Sequence, residues 1–181
     1  MAACRFCNIK EENAHFQNLP FYETGTVKKK PFSAADVKIT YELLNKIQPN
    51  QIFAAGDLSD PHGTHRVCLD IIYAALEQLK NEKCYWLKNT YVWLYRGAWQ
   101  EWDIADMEMT VPIGPKDLTR KRNAIFKHQS QKDAAMFPGS DAREFWQRAE
   151  QRNKETAIKY NKLGLAEYEA MEGFVRYKLN Y

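Results

Sequence analysis

Apolar residues recur along the chain at two periods, and the switches between them mark the elements. Val37, Tyr41, Leu44 and Ile47 stand at helical spacing. Phe32-Ser33-Ala34-Ala35-Asp36 spells the start of that helix, with Ser33 as cap, Asp36 closing a capping box and Phe32 placed to staple onto Val37. The helix must stop before Pro49. Ile52-Phe53-Ala54-Ala55 follows at once and is closed by Gly56 and Asp57, the pattern of a buried strand ending in a loop. Beyond the loop, Cys68, Ile71, Ile72, Ala75, Leu76 and Leu79 predict a second helix, with Asp60 as its N-cap and Pro61 as its first residue.

Two aromatic and β-branched runs, 84–87 and 91–95, predict strands, as does the shorter run 15–19 ended by Pro20. Residues 104–111 alternate weakly, and Pro112-Ile113-Gly114-Pro115 breaks the chain before a helix predicted over 116–135 that carries His128. A further helix is predicted over 142–163 with Phe145 and Trp146 as anchors, and 168–181 closes the chain with Phe174 and Val175. Residues 2–9 read as the tail of a helix that begins before Met1. Helix, strand, loop and helix in quick succession predict an α/β fold: a three-layer Rossmann-like, mostly parallel sheet with helices on both faces, in a single domain over 1–181.

Composition narrows the function classes. The 181 residues are 45% hydrophobic and 27% charged, ordinary for a soluble globular protein with a sizeable core. With 26 Lys and Arg against 23 Asp and Glu, the net charge of +3 argues against a nucleic-acid or anionic-membrane partner. The cluster of Arg120, Lys121, Arg122 and Lys127 reads as a solvated face. No apolar run spans a membrane and Met1-Ala2-Ala3-Cys4-Arg5 lacks a secretion signal, so a cytoplasmic location is expected. Cys4, Cys7, Cys68 and Cys84 are few and irregularly spaced, which predicts reduced thiols. Cys4 and Cys7 have no second pair to share a metal with and read as two buried helical cysteines.

The candidate chemistry lies in Asp60-Pro61-His62-Gly63-Thr64-His65. His62 and His65, three apart, would share one face of a first helical turn at a strand's carboxyl end, the edge where open α/β sheets bind ligands. Such a pair can set a metal ligand beside a second polar group; the plainer reading is a capped helix with two partly exposed histidines.

The segments together resemble the LmbE-like hydrolases, the zinc-dependent N-deacetylases that include the N-acetylglucosaminyl-phosphatidylinositol deacetylase. Residues 60–65 are similar to the family's His-x-x-His motif, Lys127-His128-Gln129-Ser130-Gln131 resembles its Lys/His-x-Ser-Gln segment, and Glu172-Gly173-Phe174 resembles its closing Glu-x-Phe signature. The resemblance implies that His65 is a zinc ligand and that His62 assists the tetrahedral intermediate, with Asp60, Thr64 and His128 around them. Thr64 departs from the acidic or Asn residue many members have there. The family's His-Pro-Asp-Asp motif, which supplies two of three zinc ligands and the general base, is absent. The expectation is therefore a domain lacking its first strand-helix units, with zinc in the complete domain and none tightly bound by this chain.

The spelling of 60–65 and the loop Phe21-Tyr22-Glu23-Thr24-Gly25 are similar to the LmbE-like half of bacterial proteins fused to glucosamine-6-phosphate deaminase (isomerase), which implies an amino-sugar substrate. Two readings follow: part of a zinc-dependent N-deacetylase-like hydrolase, or a non-catalytic binding or oligomerisation module. An interrupted sheet would leave open strands and apolar faces, so a homo-oligomer is expected, with Tyr85, Trp86, Trp99 and Trp102 as candidate contacts.

Overall fold

A computed structural model describes residues 1–22, 30–56, 63–98, 100–129, 142–164 and 167–179. The chain is α/β. Its helices are α1 (Ala2–Phe6), α2 (Ala34–Ile47), α3 (Thr64–Asn81), α4 (Pro115–Ile125) and α5 (Phe145–Lys162); its strands are β1 (Gln51–Ala55), β2 (Tyr91–Tyr95), β3 (Met109–Ile113) and β4 (Ala170–Tyr177). The strand order is β1-β2-β4-β3. The chain divides into two compact units, one of Met1–Phe16 with Ala98–Gly173 and one of Gln17–Gly97 with Phe174–Tyr181, so β4 contributes its first half to one and its second half to the other.

In the unit of 17–97 and 174–181, β1 runs parallel to β2 from Gln51↔Tyr91 to Ala55↔Tyr95. β4 pairs antiparallel with β2 from Tyr95↔Phe174 to Val92↔Tyr177, which makes the sheet mixed. Alternation along the strands sorts their faces: Ala54, Val92 and Leu94 are buried, while Phe53, Tyr91 and Tyr95 are exposed. The buried stripe of α3 is Leu69, Ile71, Ala75, Leu76 and Leu79, all but Leu69 at predicted positions, with Cys68 and Ile72 half-buried. The capping box of α2 forms as its sequence predicts. Asp36, 1% exposed, accepts from Phe21 N (2.9 Å), Ser33 N (2.8 Å) and Ser33 Oγ (2.7 Å). Burial pushes its carboxyl up, but these donors outweigh burial and hold it below the usual carboxylate range.

Two predicted strands do not form. Residues 84–87 are not a strand: Tyr85–Asn89 is a 3₁₀ turn, because Leu87 is fully buried, Trp86 Nε1 donates to Asn45 Oδ1 (3.3 Å) and Thr90 Oγ1 to the Pro49 carbonyl (2.8 Å). Docking on the end of α2 overrides the aromatic strand propensity. Residues 15–19 form no strand either; Phe16 is 68% exposed and Gln17 instead accepts from Thr40 Oγ1 at 2.9 Å. Ile47, expected on the buried face of α2, is exposed; it is the last residue of the helix, before the left-handed C-cap Gln48.

In the unit of 1–16 and 98–173, α4 ends at Ile125 rather than running to 135, and His128 lies past its end. Phe126 turns there to meet Trp146 edge-to-face, 5.8 Å between centroids. Arg122 caps the same indole at 4.6 Å and pairs with Glu150. α5 starts at Phe145 close to its predicted position, with Glu144 and Gln147 forming a capping box. Cys7 is exposed at the end of α1 and Cys4 half-buried, so neither is the buried helical cysteine expected; among the described residues no cysteine forms a disulfide. No helix among the described residues is long and apolar enough to cross a membrane.

Candidate functional site

The predicted site begins where β1 ends. Gly56 N donates to the Tyr95 carbonyl at 2.8 Å, carrying the parallel ladder one residue past the strand. Asp60, Pro61 and His62 lie outside the described residues. The chain re-enters at Gly63, which takes φ 67°, a left-handed conformation natural to glycine, and serves as the N-cap of α3. Asp60 is therefore not that cap, and α3 begins at Thr64, later than the pattern suggested. Thr64 is half-buried and His65, in the first turn, is exposed. One candidate pair, Thr64 and His65, thus stands on one helical turn beyond the carboxyl end of a parallel strand. His128 belongs to the other unit and is exposed.

Among the described residues, no three His, Cys, Asp or Glu side chains come together as a metal centre. His65 is the described donor at this corner, and one imidazole does not make a zinc site.

Sequence reasoning missed a second polar constellation, built between α4, α5 and the start of β4. Arg152 donates from Nη1 to Glu101 Oε2 and from Nη2 to Glu172 Oε1, each at 2.5 Å. The second oxygen of Glu172 accepts from Lys121 Nζ (2.8 Å) and Asn153 Nδ2 (2.9 Å), and Lys121 also reaches Asn153 Oδ1 at 2.6 Å. Thr156 Oγ1 donates to Glu101 Oε2 at 3.0 Å, and the Trp102 backbone N–H donates to the other Glu101 oxygen at 2.9 Å. Two cations face two carboxylates in a largely sealed space: the Arg152, Glu101 and Glu172 side chains are 8%, 12% and 15% exposed. Burial pushes Glu172 up, but Arg152 and Lys121 hold it below the usual carboxylate range. The cluster is charge-balanced, and of its buried side-chain polar atoms Arg152 Nε lacks a hydrogen-bond partner.

A signal for it was present. Ala149, Arg152, Asn153, Thr156 and Ala157 form the buried stripe of α5 at helical spacing, and a stripe mixing polar side chains with alanine needs partners inside. The Glu172-Gly173-Phe174 motif gains a structural account from the same region. Glu172 anchors the ion pairs, a Cβ on Gly173 would come within 2.5 Å of Met107 Sδ, and in the other unit Phe174 meets Phe53 edge-to-face at 5.5 Å.

Comparison with known proteins fits this picture. No protein-family model matches the chain. Over 175 residues, 97% of its length, the chain is 57% identical to a glucosamine-6-phosphate deaminase-like protein of Bacteroides thetaiotaomicron. The chain is a homologue of part of that protein. It spans 26% of the relative's length, about a quarter. Among solved structures, it superposes on the zinc-inhibited form of the teicoplanin deacetylase Orf2 with a TM-score of 0.50 and 14% identity, over 99% of this chain and 73% of that one. At that identity the likeness is one of fold, a deacetylase fold of the Rossmann-like kind. The deaminase-like resemblance read from the motifs is borne out by the relative, and the fold that the LmbE-like resemblance implies by the structural likeness.

Proposed function

We propose that this chain forms part of a hydrolase domain acting on the C–N bond of an N-acylated amino sugar. The observation that carries the reading is the corner itself: a strand paired in parallel ends at Ala55, and the chain returns through Gly63 to present His65 in an exposed first turn. The deaminase-like name of a 57% identical relative supports an amino sugar as substrate class, and the deacetylase fold supports amide hydrolysis.

In this reading His65 is the metal donor contributed by the chain, and His62 stabilises the developing oxyanion or protonates the leaving amine, with Asp60 and Thr64 as further residues of the site. Zinc would supply a polarised, readily ionised water when bound. The described residues do not complete such a centre. The deciding experiment measures acetate release from an N-acetylated hexosamine by the longest polypeptide that carries this chain, alongside its zinc content. His65→Ala should lower both, the rate by roughly a hundredfold or more, following the sensitivity of metal sites to ligand loss. Unchanged zinc and unchanged rate would remove His65 from the site.

A second reading, a binding or assembly module, is favoured by the exposed aromatic side chains Phe53, Tyr91 and Tyr95 on one sheet face. It separates from the first by activity: a module binds without releasing acetate.

A further inference from the structure

The parallel pair brings one further residue to the His65 corner. Ala55 and Tyr95 end at the same margin of the sheet, and Gly56 N, donating to the Tyr95 carbonyl at 2.8 Å, holds the next peptide units side by side. The residue that leaves β2 there is Arg96, in the same compact unit as β1 and α3. Burial alternates along β2, with Val92 and Leu94 inside and Tyr91 and Tyr95 exposed. Arg96, next after Leu94 in that alternation, is half-buried, and its Nε is shut off from solvent. Because β1 and β2 are parallel, the helix α3 that connects them must run back along the sheet. Its first turn, with Thr64 and His65, therefore stands at the margin where Arg96 emerges. That turn carries no acidic residue, and Arg66 lies in it beside His65.

We propose that Arg96 is the anion-binding residue of this corner and takes the phosphate of a phosphorylated N-acylated amino sugar. The proposal rests on the reading of the β1–α3 corner as the amino-sugar site. A guanidinium offers a rigid fork of N–H donors that matches two oxygens of one phosphate, and partial enclosure holds that fork in place. A phosphate monoester carries about −1.5 to −2 charge near neutral pH, which suits the two arginines, Arg96 and Arg66, better than the single charge of a carboxylate does. Neighbouring strands lie about 4.8 Å apart, comparable to the width of a hexose ring, so one sugar reaches from the helix start after β1 to the arginine after β2. With the acylated amine at His65, a phosphate on the far side of the ring meets Arg96. Arg96 then selects sugar phosphates over neutral sugars.

Side-chain NMR of the 181-residue chain reads the Arg96 Nε–H directly during separate titrations with an N-acetylated hexosamine phosphate, the same sugar without its phosphate, and inorganic phosphate. The Arg96 signal should shift saturably with the sugar phosphate and with inorganic phosphate, and stay in place with the neutral sugar. Arg96→Gln, checked for folding by circular dichroism, should weaken sugar-phosphate binding roughly tenfold or more and leave neutral-sugar binding unchanged. Arg96→Lys keeps the charge without the fork and should lose less. An Arg96 signal that answers neither phosphate, as when the guanidinium is already held by a carboxylate of the chain, would overturn the proposal. So would a folded Arg96→Gln that binds the sugar phosphate like the parent. Failure of the amino-sugar reading gives a different pattern: Arg96 answers inorganic phosphate as strongly as the sugar phosphate while His65 answers no sugar, which supports the anion site and removes the sugar from it.

Discussion

Arg152 and Glu172 meet at 2.5 Å with their side chains 8% and 15% exposed, joining α5 to the first half of β4. Breaking such a pair from one side strands the other charge. Arg152→Met should therefore cost about 3–5 kcal/mol of stability, because it leaves both Glu101 and Glu172 without their main cation. Urea denaturation checks it; a loss under about 1 kcal/mol would mean the carboxylates find water or protonate without strain.

The same pair sets a pH dependence. The folded carboxyl of Glu172 lies below its ordinary value, so its contribution to stability is fully present above the ordinary carboxylate range and is lost as pH falls through the depressed folded value. Glu172→Gln should flatten the acid limb of the stability profile while lowering stability near neutral pH. Unfolding free energies measured at a series of pH values provide the check, and an unchanged acid slope would contradict the assignment.

Gly173→Ala should destabilise by about 1–2 kcal/mol through overpacking, since the new methyl would sit 2.5 Å from Met107 Sδ and 2.7 Å from its Cε. Those atoms are the far end of a flexible side chain, which keeps the cost moderate. Adding Met107→Ala should make the glycine replacement nearly free, and a double-mutant cycle showing simple additivity would rule out the contact as the cause.

Asp36→Ala removes the acceptor for two backbone donors, Phe21 N and Ser33 N, and should cost about 2 kcal/mol. Asp36→Asn keeps one oxygen and should lose less. Equal losses in thermal unfolding would show that charge, and not the bonds, matters there.

Legibility followed sequence distance. The Ser33 and Asp36 box, the span of β1 and β2 and the start of α5 were readable because each is decided within a few residues. The turn over Tyr85–Asn89 was not, because its conformation is set by bonds to Asn45 and Pro49, each 41 positions away. The ion cluster has the same character: Lys121 lies 51 positions from Glu172, and a basic run on α4 gave no sign of its carboxylate partner. At the candidate site Asp60-Pro61 looked like a helix start, yet Gly63 could adopt the left-handed cap nearer to His65 and took that place. The proposed function rests on motif resemblance to a family, whereas periodicity alone led only to a strand, a loop and a helix.

The claim that an amino sugar is handled at the β1–α3 corner is tested most directly by NMR of the histidine side chains. The 181-residue chain would be titrated with an N-acetylated hexosamine phosphate and, separately, with the same sugar phosphate lacking the acylated amine. The account predicts saturable shifts at His62 and His65 with the N-acetylated sugar, weaker or absent ones with the other, and none at exposed His15. Shifts at neither His62 nor His65 up to millimolar sugar, or equal responses to both ligands, would contradict it.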